Sequence, residues 1–457
     1  MFYRSYMLIE SLSGVRATDD ELTEKFVHSY CLVFAETGDK KLILLGRDTR
    51  ASGNAIREII VDSMIQSGVE IVDLGVCPTP TVQYEVEHLK ADGGIVITAS
   101  HNPIPWNGLK FIGSDGLFLD ADQMLNLQRR RIEIGKQSSF KKATGGKLTI
   151  YSRAIRDHIE MVLHLPCVNP ETIRRRKFKI VVDAVNGAGF FAIPELLKSL
   201  GCEVVRLNCD GSLPFPHTPE PLPENLTDLM ARVKSERADL GFAVDPDADR
   251  LAIISNEGLP LSEEYTLVLA SICALSKSQS AEKIVVTNLS TTMALDDVAR
   301  QFGATVVRTP IGEINVAKKM REIHAVIGGE GNGGVILPDA HLGRDSLVGS
   351  ALVLQFLSEQ TTPISEVMKS IPRYAMIKKK IPRGNRPLSD YFSDLEALAS
   401  ADSVNMEDGI KFIWKDRWVH LRPSNTEPIV RIYAEAPTRE LAEVVAQPFI
   451  RFFEHIS

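Results

Sequence analysis

Ser100 lies in the run Thr98-Ala99-Ser100-His101-Asn102-Pro103, directly after the apolar stretch Gly94–Ile97. The carboxyl end of a strand is where α/β sheets place ligands, so the Ser100 hydroxyl has the address of a nucleophile. A serine hydrolase is not indicated, because Thr98 and Asn102 stand where the glycines of a G-x-S-x-G elbow belong. The plainer alternative is an Asn-Pro turn in which Ser100 and His101 only bond backbone groups. A second loop, Asp245-Pro246-Asp247-Ala248-Asp249-Arg250, follows the apolar run Leu240–Val244. Three carboxylates at alternate positions repel one another unless a hard cation or protons neutralise them, and oxygen-only ligation suits Mg²⁺. An EF-hand is excluded, since its glycine and closing glutamate positions are occupied by Arg250 and Asn256. The triad leaves octahedral positions for water and a phosphate oxygen, as in phosphoryl-transfer sites; a solvated acidic turn is the alternative.

Two further loops carry polar groups suited to a sugar phosphate. Gly328-Gly329-Glu330-Gly331-Asn332-Gly333-Gly334 has too many glycines for an ordinary helix or strand, so backbone there comes close to something. It lacks the Lys-Ser/Thr ending of a P-loop and the spacing of a dinucleotide fingerprint. Glu330 and Asn332 suit hydrogen bonds to sugar hydroxyls, against the alternative of a plain glycine-rich hairpin. Arg422-Pro423-Ser424-Asn425-Thr426-Glu427-Pro428, with Arg431 three residues on, combines guanidinium, hydroxyl and turn amide donors. That set suits a phosphate, and a hydrogen-bonded surface turn is the other reading.

The elements that must position these loops repeat one pattern: a β-branched run, a polar turn, a helical segment ending near Gly, and a second apolar run. Lys41–Gly75, Lys179–Asn208 and Lys283–Glu313 each read as a βαβ unit. Their wide separation argues for three related α/β domains with mixed sheets in tandem, not a solenoid. The last ninety or so residues break the pattern, with strands expected at Trp418–Leu421 and Ile429–Glu435 and a closing helix from Thr438 to about Phe453. A smaller C-terminal α+β domain fits them. The expected units are 1–147, 148–256, 257–368 and 369–457.

With 457 residues and 44% hydrophobic content, several compact domains are expected. The net charge of −7 argues against a nucleic-acid or anionic-membrane partner, so an anionic ligand must be held by a local pocket. The basic runs Arg129–Arg131 and Arg174–Lys177 read as solvated surface. Cys31, Cys77, Cys167, Cys202, Cys209 and Cys273 show no metal-ligand spacing and read as buried thiols of a reducing compartment. No apolar run is long enough to span a bilayer, so a cytoplasmic location is expected.

TASHNP with NGLKF (Thr98–Phe111), DPDADR, GEGNGG and RPSNTEP occur in the order and spacing of the α-D-phosphohexomutases, and the chain resembles that family over essentially its whole length. The resemblance implies four domains around a central cleft. It implies that Ser100 is phosphorylated in the resting enzyme and, with Asp245, Asp247 and Asp249, ligates one Mg²⁺. It makes Lys110 a general acid/base candidate, with His101, Arg16 and Arg250 near the transferred group. Glu330 and Asn332 fall in its sugar-binding loop; Arg422, Ser424, Asn425, Thr426 and the nearby Arg431 fall in its phosphate-binding loop. The reaction implied interconverts hexose 6-phosphate and hexose 1-phosphate through a bisphosphosugar, in a monomer or homodimer. The third motif departs from the family's frequent pattern: Asn332 and Gly333-Gly334 stand where a Ser and then a His are common. Ser11–Arg16 and Gly343-Arg344-Asp345 resemble the phosphoglucosamine mutase branch, whereas Asn425 is frequent in phosphomannomutase/phosphoglucomutase members. A glucosamine phosphate is the expected substrate, with mannose or glucose phosphate as the alternative.

Overall fold

The structure is a computed structural model, and it describes residues 8–11, 14–134, 145–382, 386–424 and 429–456. All three βαβ units form as the pattern requires. In the first, strands Leu42–Arg47 and Glu70–Val76 pair in parallel across the helix Gly53–Gln66. The second joins Lys179–Asp183 and Glu203–Leu207 through Gly189–Ser199. The third joins Ile284–Asn288 and Thr305–Thr309 through Ala294–Gln301. The inner strands Leu42–Arg47, Lys179–Asp183 and Ile284–Asn288 are largely buried, as expected where helices cover a sheet, whereas the edge strands Glu203–Leu207 and Thr305–Thr309 are only partly covered.

Each unit adds antiparallel strands that turn its parallel sheet into a mixed one. The first sheet has seven strands, in which Gly93–Ile97 pairs in parallel with Leu42–Arg47 and antiparallel with Trp106–Gly113. Gly14–Thr18 then pairs antiparallel with Trp106–Gly113, opposing Arg16 to Gly108. Gly108 has no room for a side chain: a Cβ there would lie 2.3 Å from Val15 O and 2.8 Å from Thr98 O. That close approach brings the strands carrying Arg16 and Lys110 against the start of the Ser100 loop. The strand Leu148–Ile150 pairs in parallel with Glu70–Val76, so the first sheet runs past residue 147, where the boundary was expected. In the second and third sheets the added strands are Leu251–Ser255 and Gly334–Ile336. The fourth sheet is antiparallel throughout, five strands backed by the helix Arg439–Ile456.

The second and third units share one core cluster running from Ile159 to Ile371, the fourth keeps its own, and Leu117 of the first packs among Val286, Ile314 and Ile336 of the third. All six cysteines are buried. The basic runs are engaged with surface groups, as in Arg130–Glu36 at 2.8 Å and Arg174 Nη2 to Ser199 O at 2.8 Å. No helix among the described residues is long and apolar enough to cross a membrane.

One buried group gives the fold a pH dependence. Glu85, on the helix Thr79–His88, is fully buried, and neither carboxyl oxygen has a hydrogen-bond partner among the described residues. Burial, with the Asp157 charge adding to it, pushes this carboxyl up to about 8 from 4.5. Between those values the unfolded chain loses the proton and the folded chain keeps it, so stability falls as pH rises through that window. Glu85→Gln is expected to flatten this part of the curve, read as thermal unfolding from about pH 4 to about pH 9. An unchanged slope would contradict the assignment.

Candidate active site

Ser100 is 1% exposed and has a left-handed backbone, φ 51°. A β-carbon makes that conformation unfavourable, so surrounding bonds must hold it. Its N–H donates to Thr98 Oγ1 at 2.9 Å, and Thr98 Oγ1 donates to Asp48 Oδ2 at 2.7 Å. Arg50, paired with Asp48 at 3.0 Å, donates to the carbonyls of Ser100, Asn102, Pro103 and Trp106. The Ser100 hydroxyl faces Asp245 Oδ2 at 3.1 Å and His101 Nδ1 at 3.2 Å.

The aspartates lie on the connection between the antiparallel strands Leu240–Val244 and Leu251–Ser255, which register through Val244↔Leu251. All three are essentially inaccessible, and their oxygens come within 4.8 Å of one another. Asp247 Oδ2 accepts from Lys110 Nζ and from Thr79 Oγ1, both at 2.6 Å. Asp249 Oδ2 accepts from Arg344 Nη2 at 2.6 Å and Lys110 Nζ at 3.3 Å. The second oxygens, Asp247 Oδ1 and Asp249 Oδ1, have no hydrogen-bond partner among the described residues; Arg250 Nε is 3.7 Å from the latter. Buried oxygens left open while their twins are tied down fit a metal ion that takes one oxygen per carboxylate.

Electrostatics follow from this packing. Burial, then the charges of Asp249 and Asp247, raises Asp245 well above the usual carboxylate range. Burial also opposes ionisation of Asp247, but the Lys110 charge and hydrogen bond overcome it and hold Asp247 low. Lys110, although burial alone would lower it, is raised by Asp247 and Asp249 and is a cation here. His101 is driven well below its ordinary value by burial and by the nearby Arg250 and Arg16 charges, so it is neutral near pH 7. Arg16, which reaches Asn102 Oδ1 at 3.4 Å, and Arg250 each keep a buried Nε without a hydrogen-bond acceptor among the described residues. These are free donors suited to an anion.

Glu330 ends the strand Ile327–Glu330 and is 3% exposed. Asn288 Nδ2 and Gly312 N donate to its Oε1 at 2.9 and 3.1 Å, and Arg344 Nη1 donates to its Oε2 at 2.7 Å. Asn332 turns onto its own loop, accepting from Gly334 N at 3.2 Å and lying 3.4 Å from Glu330 Oε2. Arg422 and Arg431 are directly opposed across the fourth sheet. Two opposed cations repel, which an anion between them would relieve. Arg422 pairs with Asp408 at 3.0 Å, and Asp408 accepts from Ile311 N at 2.9 Å, next to the Gly312 that holds Glu330. Ser424 closes the strand turn, donating its N–H to Ile429 O at 3.0 Å. Asn425 and Thr426 lie outside the described residues.

The structure thus brings Ser100, His101, Lys110, Arg16, Arg250 and the aspartates together, with Glu330 joined through Arg344. Arg422, Ser424 and Arg431 form a separate cluster tied to the third unit through Asp408. Sequence reasoning missed Asp48, Arg50, Thr79, Glu313 and Arg344. Asp48, Arg50 and Thr79 had a positional signal, since they follow the parallel strands Leu42–Arg47 and Glu70–Val76 at their carboxyl ends.

A serine hydroxyl facing a metal-competent carboxylate triad, with buried cations holding open donors around it, defines a group-transfer enzyme for an anionic substrate. Models of the phosphoglucomutase/phosphomannomutase α/β/α domains I, II and III match residues 9–137, 156–258 and 262–374, and that of the C-terminal domain matches 378–451. A Thermococcus kodakarensis phosphoglucomutase/phosphomannomutase is 34% identical over 453 residues, covering 96% of this chain and 97% of that protein. A probable phosphoglucosamine mutase of Methanopyrus kandleri is 35% identical over 411 residues, 89% of each chain. The crystal structure of a phosphoglucomutase/phosphomannomutase family protein from Burkholderia thailandensis superposes with a TM-score of 0.85 at 27% identity, covering 97% of this chain and 96% of that one. The chain belongs to the phosphoglucomutase/phosphomannomutase family and is a phosphohexomutase, an isomerase that transfers a phosphoryl group within its substrate.

Arg50 touches the Ser100 loop through four carbonyls, and small misplacement of a reacting group costs about 100-fold in rate. Arg50→Lys is expected to lower kcat by about that factor with KM changed only a few-fold. A wild-type kcat would show that the loop holds its shape without the guanidinium.

Proposed function

We propose that the chain is a phosphoglucosamine mutase, converting glucosamine 6-phosphate to glucosamine 1-phosphate through a phosphoserine at Ser100 and a bisphosphosugar intermediate. The observation that carries the phosphoserine route is the Ser100 hydroxyl 3.1 Å from Asp245 within the buried triad. Support for the sugar comes from the Methanopyrus kandleri relative and from the Gly343-Arg344-Asp345 run. The second reading, a phosphomannomutase/phosphoglucomutase, is favoured by the Thermococcus kodakarensis relative.

Asp245, Asp247 and Asp249, with an oxygen on Ser100, would hold one Mg²⁺, which supplies charge neutralisation to the phosphoryl group. In each half-reaction the P–O bond to one oxygen breaks as the bond to the other forms, and one proton passes from the attacking hydroxyl to the departing oxygen. Lys110, a cation on Asp247 and Asp249, and neutral His101 beside Ser100 are the groups that carry that proton. The open Nε donors of Arg16 and Arg250 receive phosphoryl oxygens, whose charge grows along the transfer. Glu330 and Asn332 orient the sugar by its hydroxyls. Arg422, Ser424, Asn425, Thr426 and Arg431 hold the distal phosphate, and the bisphosphosugar turns over between the two transfers. Each of the four units contributes one of these loops, the first unit running on through the strand Leu148–Ile150.

The test is isomerisation of glucosamine, mannose and glucose 6-phosphates with Mg²⁺ and catalytic bisphosphosugar. Glucosamine 6-phosphate is expected to give the highest kcat/KM, and Ser100→Ala to lose at least about 1,000-fold on every sugar. Turnover indifferent to Ser100 would defeat the phosphoserine route; a preference for mannose or glucose would favour the second reading.

A further inference from the structure

Arg344 is 8% exposed and reaches three carboxylates from different segments. Its Nη2 donates to Asp249 Oδ2 at 2.6 Å and its Nη1 to Glu330 Oε2 at 2.7 Å, while Nε lies 3.1 Å from Glu313 Oε2. The Arg344 N–H also donates to Glu313 Oε1 at 3.1 Å, and Gln83 Nε2 of the first unit reaches that oxygen at 3.4 Å. One planar guanidinium therefore joins the aspartate loop of the second unit to the sugar loop of the third. A guanidinium fork fixes both distance and orientation, which a lysine ammonium does not.

Its backbone is anchored independently. Asp345, the next residue, caps the helix Ser346–Ser358 by accepting from Leu347 N and Val348 N at 2.7 and 3.2 Å. Its other oxygen contacts His158 Nε2 at 2.7 Å and His341 Nε2 at 3.0 Å. His158 Nδ1 meets Thr81 at 2.9 Å and His341 Nδ1 accepts from Gly343 N at 3.1 Å, so both imidazoles are committed to this anchor. The side chain has a made place as well. Gly334 lies beneath it, and a Cβ there would be 2.2 Å from Arg344 Cδ. The space above Gly334 belongs to Arg344.

We propose that Arg344 is a positioning residue for phosphoryl transfer, setting the metal-side carboxylate Asp249 and the sugar-side carboxylate Glu330 at one fixed spacing. It acts through them: it ties down Asp249 Oδ2 so that Oδ1 stays open for the cation, and it holds Glu330 facing the sugar. The inference rests on the phosphohexomutase reading of this site. Partners that orient metal ligands typically change metal affinity by about 10–100-fold when altered.

The test compares wild type, Arg344→Lys and Gly334→Ala, the last keeping every charge but crowding Arg344 out of place. Mn²⁺ affinity is read without turnover by electron paramagnetic resonance, alongside thermal unfolding and steady-state kinetics. Both variants are expected to weaken Mn²⁺ binding by about 10-fold or more, to raise KM for the sugar phosphate and to lower kcat. Wild-type Mn²⁺ affinity and KM in both variants, with only the unfolding temperature lowered, would make Arg344 a structural ion pair and overturn the proposal. Should Arg344→Lys fail to fold, Gly334→Ala decides alone. Wild-type protein that turns over no hexose phosphate would defeat the mutase reading, whereas unchanged Mn²⁺ affinity and KM in the variants defeat the positioning role.

Discussion

The structure depends on how three buried carboxylates are kept within a few ångströms of one another. Two like charges about 4 Å apart repel by about 4 kcal/mol at the effective dielectric of a protein site. Asp245, Asp247 and Asp249 share one short connection and cannot separate. Besides the neighbouring Arg250, relief comes from other units: Lys110 and Thr79 from the first, Arg344 from the third. The site is therefore where three units meet, and its charge balance also fastens them together.

That requirement explains the repeated architecture. In each of the first three sheets an inner strand, Gly93–Ile97, Leu240–Val244 or Ile327–Glu330, ends at a loop of the site, and the close strand approach at Gly108 brings Arg16 and Lys110 to the Ser100 loop. Thr79 N–H donates to Asp247 O at 2.9 Å, and Leu251 N–H donates to Gly333 O at 3.0 Å, so the aspartate connection is gripped from both neighbouring units. The fourth unit is fastened to the third through Ser290 and His420 at 2.8 Å, Met293 N–H to Glu435 Oε2 at 2.8 Å and Lys378 to Glu263 at 2.9 Å. Asp408 links Arg422 to the Ile311-Gly312 turn that holds Glu330, which connects the distal phosphate cluster to the sugar loop.

The parts of the site legible in the sequence are those whose chemistry is contiguous. Ser100 with His101, and the alternating aspartates, announce themselves because spacing within one loop already dictates repulsion, ligation or nucleophile geometry. The βαβ units were legible for the same reason: their apolar runs and turns are local. Arg50, Glu313 and Arg344 were not, because each acts on groups far away in the chain. Gly343-Arg344-Asp345 was visible as a motif, but nothing local says that its guanidinium spans Asp249 and Glu330. The strand Leu148–Ile150 escaped notice because three exposed residues at a sheet edge carry little pattern. Asn425 and Thr426 remain readings of the sequence.

The central claim is that a phosphoryl group rests on Ser100 between turnovers and passes to the sugar in the first transfer. It is tested most directly by treating the protein with hexose 1,6-bisphosphate and Mg²⁺, mapping the phosphorylated peptide by mass spectrometry, and then adding hexose monophosphate. The account predicts one phosphate on Ser100 that leaves as bisphosphosugar when the monophosphate is added. Phosphate at another residue, or release from Ser100 only as inorganic phosphate, would contradict it.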